Sequence, residues 1–216
     1  MMEFRAGRPF GSGHCSARVN EYSFTIDDMT PSTQDRLLAA AETVFARRGL
    51  RSATVAEIAA EADISAGLLY RYFPGKADLA VAIVDRDRDE TVAAIASLDE
   101  IGDARQALTL LIEGWIDAAL SDRAACALVG DIAAEAGRDG VIAAAAAAHE
   151  TAVVGALTAL VARAGRSEID AAAVAVLLVS ALDGLTMRIG GSDGFDPAPS
   201  TSALLAALPG LLGDPT

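Results

Sequence analysis

The chain has 216 residues, 52% of them hydrophobic and only 5% aromatic, and its 17 Lys and Arg against 30 Asp and Glu leave a formal net charge of -13. That length suits one small domain plus a larger one, and its two cysteines, Cys15 and Cys126, lie too far apart to argue a disulfide framework or a zinc site. No uninterrupted apolar run reaches the roughly 18 residues needed to cross a bilayer, the longest being Ala171 to Leu182, and Arg5 and Arg8 precede no apolar core of a secretory signal, so a cytoplasmic chain without a membrane partner is expected.

Residues 1–30 are rich in Gly, Ser and charge, keep no sustained period, and read as a disordered tail. Arg5, Arg8 and Arg18 are either solvated there or form an arm for a DNA minor groove. Thr33 to Arg48 follows as an amphipathic helix with Leu37, Leu38, Ala41, Val44 and Phe45 on one face, and Gly49 stops it. Thr54 to Phe73, reading TVAEIAAEADISAGLLYRYF, has the proportions of two short helices joined by a tight turn. Val55, Ile58, Ala59 and Ala62 keep the helical period, and Thr54 with Glu57 makes a capping box. The Asp63-Ile64 turn comes next, Ser65 is placed to cap the second helix, and Gly67 removes a side chain where two helices approach. Pro74-Gly75 breaks the chain, and Lys76 opens another helix through Leu79, Ile83 and Val84. Such a unit is the DNA-reading helix-turn-helix, although a plain core hairpin can imitate it.

From Leu37 to Leu79 the chain resembles the TetR family of one-component transcriptional regulators. The matching residues are LLAAAETVFARRGLRSATVAEIAAEADIS, then S-x-G-x-L-Y-x-Y-F from Ser65 to Phe73, then P-G-K-x-D-L from Pro74 to Leu79. Met29 directly precedes the family-like start MTPSTQDRLL and is a second candidate initiation site. The resemblance implies that Ser65, Ala66, Gly67 and Leu68 open the recognition helix, where side chains face base edges. Ala66 and Leu68 stand where the family often has Lys and Thr, which implies contacts with thymine methyl groups and few direct base hydrogen bonds. Tyr70 and Arg71 are then groove or phosphate contacts, and Tyr72, in a place often held by His, touches the backbone. Thr54 and Lys76, at helix N-termini, suit phosphate oxygens. One of the two tyrosines packing between helices is the competing reading.

Residues 31–80 carry six basic and six acidic side chains, so the acidic excess falls almost wholly on residues 81–216. A neutral head implies modest non-specific affinity for phosphate, with operator binding dependent on two heads acting together. The second domain, residues 81–216, is alanine-rich and helical in period throughout: Arg105 to Leu120, Asp122 to Ala136, Val141 to Ala164, Glu168 to Ile189 and Ser200 to Leu212. With no strand-turn pattern, the fold class is all-α, a helix-turn-helix domain at 31–80 followed by a helical ligand-binding and dimerisation domain. Ala134-Glu135-Ala136, Arg138-Asp139 and Leu182-Asp183-Gly184-Leu185 resemble the betaine-regulator-like subclass.

Four side chains are candidates for a ligand site. Trp115 forms a pocket wall or packs in the core; His149 interrupts an apolar stripe as a hydrogen-bonding pocket group or a satisfied core histidine; Asp131 and Glu135 meet a cationic ligand or remain surface charges. Asp183, the one acid in a long apolar run, sits at a dimer seam or a pocket floor and demands a partner. The resemblance implies double-stranded operator DNA, a small-molecule effector and a second copy of the chain, paired through the last two long helices, as partners. No cofactor is expected. A ligand-independent DNA-binding or scaffold protein without a sensing pocket fits the same residues. A helical enzyme fits poorly, since no nucleophile–base set, metal cluster or phosphate loop stands out.

Overall fold

A computed structural model describes residues 32–165 and 170–213. The expected tail, with Arg5, Arg8, Arg18 and the His14-Cys15 pair, lies outside the described residues, as does the start of the helix expected from Glu168. Every regular element among the described residues is helical, as the sequence pattern requires. In chain order they are α1 (Thr33–Arg48), α2 (Val55–Glu61), α3 (Ala66–Tyr72), α4 (Lys76–Ser97), a 3-10 turn (Leu98–Glu100), α5 (Ala104–Ser121), α6 (Arg123–Ala136), α7 (Gly140–Ala164), α8 (Ala171–Gly191) and α9 (Ala198–Leu212).

Local chemistry sets most of the boundaries. The Thr54–Glu57 capping box closes both ways: Thr54 N–H donates to Glu57 Oε2 at 2.9 Å, and Glu57 N–H donates to Thr54 Oγ1 at 3.2 Å. Hydrogen bonds from the Thr54 hydroxyl and then from its backbone hold the Glu57 carboxyl below its usual range. Four further acids, Asp103, Asp122, Asp139 and Asp170, accept from first-turn N–H groups of α5, α6, α7 and α8. Part of the acidic excess is therefore structural, each such cap being worth about 1 kcal/mol. The turn between α2 and α3 is a Schellman stop. Ile64 N–H donates to Ala59 O at 3.0 Å and Asp63 N–H to Ala60 O at 3.2 Å, with Asp63 in the left-handed region at φ 54°.

The helices bury two apolar cores. The head core gathers Leu37, Val44 and Phe45 of α1, Ile58 of α2, Leu69 of α3 and Leu79 and Ile83 of α4. It does not close at residue 80, because Leu128 and Ile132 of α6 and Ile142 of α7 complete it. The body core joins α5, α7 and α8 through Leu108, Ile112, Trp115, Leu157, Leu178, Leu182 and Ile189, with Leu208 and Leu212 of α9 at its edge. Helices α6 and α8 approach so closely that a Cβ added at Gly190 would lie 2.5 Å from Ala127 N. Gly67, expected to make room for a neighbouring helix, does not: a Cβ there meets only Ser65 Oγ at 4.0 Å.

Helices α7 and α8 are long and apolar enough by composition to cross a membrane. Each carries polar groups within its length, His149 and Glu150 in α7 and Asp183 in α8, and each turns one face to the body core.

Candidate nucleic-acid interface

Helix α3 is anchored on one side and open on the other. Leu69 is fully buried and Phe73 nearly so, while Tyr70 is 55% and Tyr72 45% exposed. Ser65, Ala66, Gly67 and Arg71 are also exposed, and Leu68 is half-buried. A spacing of four residues between Leu69 and Phe73 puts both anchors on one face, so Gly67 and Arg71 look away from it and Tyr70 stands to one side, while Ala66 is exposed because it opens the helix. The side chains of Tyr70, Arg71 and Tyr72 make no hydrogen bond or ion pair among the described residues.

The groups expected to meet phosphate are largely engaged within the head. Thr54 Oγ1 also donates to Glu57 Oε2 at 2.9 Å. Ser65 Oγ accepts from Leu68 N–H at 3.2 Å, the expected cap of α3. Lys76 opens α4 as expected, and its ammonium donates to Arg51 O at 2.5 Å and Ala53 O at 3.1 Å, fastening the loop between α1 and α2. Its reach of more than twenty residues back along the chain left no local signal. Among the arginines, Arg36 donates to Ala62 O at 2.8 Å, Arg47 pairs with Glu61 at 3.2 Å and Arg48 with Glu57 at 3.3 Å. Arg51 and Arg71 are the head cations whose side chains have no partner among the described residues.

The four ligand-site candidates do not form one constellation. Asp131 reaches the head: its Oδ2 accepts from Leu50 N–H at 3.2 Å and so ties α6 to the end of α1. Glu135 lies 3.9 Å from Arg138 as a surface pair one turn on. Trp115, 9% exposed, donates from Nε1 to Thr186 Oγ1 at 3.1 Å inside the body. His149 Nε2 lies 2.8 Å from Oδ2 of buried Asp87 on α4. Burial pushes the Asp183 carboxyl up to about 6, with His149 holding it back and Glu150 and Asp87 raising it further. Asp183 and Thr186 are three apart on α8, so the hydroxyl that Trp115 bonds and the carboxyl that His149 steadies lie on neighbouring turns of one helix. The result is a polar patch of Asp87, Trp115, His149, Asp183 and Thr186 within the apolar body.

Asp87 has a sequence signal of its own. Asp87 and Thr91 stand on the stripe Ile83, Asp87, Thr91, Ile95, polar residues at positions where a buried face calls for apolar ones. A further polar contact braces α4 against α1. Arg86 of α4 pairs with Glu42 of α1, whose other oxygen, Oε2, is buried without a hydrogen-bond partner, and burial pushes that carboxyl up.

Comparison with known proteins bears on the fold. Residues 37–83 match the profile of "Bacterial regulatory proteins, tetR family", and residues 104–213 that of "BetI-type transcriptional repressor, C-terminal". The HTH-type transcriptional activator FasR of Mycolicibacterium smegmatis is 36% identical over 83 residues, 38% of this chain and 38% of FasR. The HTH-type transcriptional repressor BepR of Brucella suis is 39% identical over 56 residues, 26% of this chain and 27% of BepR. The matched stretch thus spans about a third of those relatives' length. Among solved structures, the fatty acid degradation regulator FadR of Bacillus halodurans superposes with a TM-score of 0.72 at 20% identity, covering 86% of this chain and 97% of that one. FadR of Bacillus subtilis, solved in complex with stearoyl-CoA, gives 0.70 at 15% identity, covering 82% and 98%. At such identities these two show a shared fold.

Proposed function

This chain belongs to the TetR family of bacterial regulatory proteins, and from that premise we propose that it is a DNA-binding transcriptional repressor, not an enzyme, acting in the cytoplasm as a homodimer on a two-fold symmetric operator and released by a small-molecule effector. The observation that carries this reading is the state of α3: anchored by Leu69 and Phe73, with Tyr70, Arg71 and Tyr72 facing outward and unengaged. A helix so held fits the major groove.

The body supports pairing. Val176, Leu177, Ser180, Gly184 and Met187 run along α8 as an exposed, mostly apolar stripe, and α9 exposes the small residues Ser202, Ala203, Ala206, Ala207 and Gly210. Two copies joining these faces about a two-fold axis form a four-helix interface. The two heads then stand about one DNA turn apart, roughly 34–36 Å. Repression is favoured by the description attached to the C-terminal match.

The effector site is the polar patch between α4, α5, α7 and α8. Helix α4 carries both Lys76, bonded into the head, and Asp87, bonded to His149 of α7. A ligand that rearranges the patch therefore pulls on the head through one continuous helix. It shifts the equilibrium only as far as it prefers the DNA-incompetent arrangement. That a protein of this fold holds stearoyl-CoA supports a body able to admit a largely apolar ligand.

Selection of bound duplexes from a random pool tests the reading. A two-fold symmetric site should be enriched; a pool that stays random, or yields only asymmetric sites, contradicts it.

A further inference from the structure

Recognition of base edges by hydrogen bonds needs side chains that present donors or acceptors in pairs. Guanine is read by Arg or Lys, adenine by Asn or Gln, and cytosine by Asp or Glu, whereas thymine alone offers a methyl group. Of these base-reading residue types helix α3, reading AGLLYRY, contains only Arg71, in its last turn. The Ser65 hydroxyl at its start accepts the capping N–H of Leu68, and Thr54, at the start of α2, is held in its own capping box. What the helix turns outward at its start is the Ala66 methyl, the bare Cα of Gly67 and, one turn on, the Tyr70 ring. Gly67 has no reason within the chain to lack a side chain, since a Cβ there would touch only Ser65 Oγ at 4.0 Å. Its φ is not among the positive ones either. The space that glycine leaves lies outside the protein, where the groove floor would be.

We propose that each half-site is read chiefly through thymine C5-methyl groups packed against Ala66, Gly67 and Tyr70, and not through bidentate hydrogen bonds to purines. The proposal rests on the reading of α3 as the groove-entering helix and names the operator chemistry it selects. Gly67 lets the helix sit close enough for the methyl groups to touch it, and Tyr70 closes one side of the apolar surface. Arg71, the one charge on α3, is then a phosphate contact.

Replacing thymine by uracil in the selected operator removes the methyl and leaves every hydrogen-bonding group in place. One or more thymines per half-site should lose about fourfold in affinity on this change, the worth of one buried carbon, and about fifteenfold when both half-sites are altered. Removing purine N7 with 7-deaza bases should cost less than this. On the protein side, Gly67→Ala should unfold at a temperature no lower than the parent, alanine being the better helix former, yet bind the operator at least about tenfold more weakly. Uracil tolerated at every position overturns the proposal, as does a 7-deaza purine costing more than any uracil, or Gly67→Ala binding at full strength. In each of those cases the regulator reading survives, since a symmetric site was still selected. A pool without an enriched site overturns both.

Discussion

Lys76 and Tyr70 look alike in sequence as DNA contacts, but the structure gives them opposite surroundings. Lys76 bonds two carbonyls of its own head, so Lys76→Ala should destabilise the protein by about 1–3 kcal/mol and weaken operator binding only through that loss. Tyr70 is mostly solvent-exposed, so Tyr70→Ala should leave thermal unfolding unchanged while operator affinity drops about tenfold. Paired melting and anisotropy titrations separate the two; a destabilised Tyr70→Ala would mean the ring is packing, not reading. Asp183 makes a pH-dependent prediction. Its folded carboxyl sits at about 6 against an ordinary 3.8, so the folded chain holds this proton more tightly than the unfolded one between those values. The stability it contributes is complete below about pH 4 and is lost as pH rises through about 6. Asp183→Asn should therefore gain about 1–2 kcal/mol at pH 7 and show a flatter profile between pH 4 and 7 in urea unfolding; parallel profiles for variant and parent would refute this. Capping residues such as Thr54 and Ser65 could be read from the sequence because their partners lie three residues away. Lys76, Asp131 and His149 could not, because each partner is a long-range neighbour that no local pattern encodes.

The helices themselves were largely legible, since amphipathic period, Asp caps and breaker residues act locally, and the expected α5, α6 and α7 each begin within one residue of the observed start. How they pack was not. Gly190 reads as the ordinary end of an apolar helix, yet it is where α8 meets the backbone of α6. A methyl group there would lie 2.5 Å from Ala127 N and 2.6 Å from Cys126 C, and backbone cannot move aside as a flexible side chain can. Gly190→Ala should thus cost about 3 kcal/mol, at the upper end for overpacking, whereas Gly184→Ala, with open space around it, should not lower the melting temperature of the isolated fold. Equal melting temperatures for the two would show that α6 and α8 are not in close contact. The α6–α8 contact also bears on function, because α6 carries Asp131 to the Leu50 N–H of the head. Arg86 and Glu42 brace the continuous α4 against α1, so the body holds the head through α4 and, separately, through Asp131 of α6.

For the whole molecule the net charge of -13 looks unsuited to DNA, and the structure shows how little positive charge the head leaves free. Arg36, Arg47, Arg48 and Lys76 have partners in the head, leaving Arg51 and Arg71. Two heads then neutralise about four phosphates, and the logarithm of the operator affinity should fall with the logarithm of salt at a slope of about -4. A slope near -10 would show that the paired arginines leave their carboxylates for phosphate. The acidic body adds no attraction, so the proposed function calls for both heads engaging at once, and that demand is what the exposed stripe on α8 and the small-residue face of α9 would meet. The most direct test inserts five base pairs at the centre of the selected operator, turning one half-site about half a helical turn away from the other, and follows binding by anisotropy. The account predicts a loss of about a hundredfold or more, the typical advantage of a second tethered contact; unchanged affinity would contradict a rigid, matched pair of reading heads.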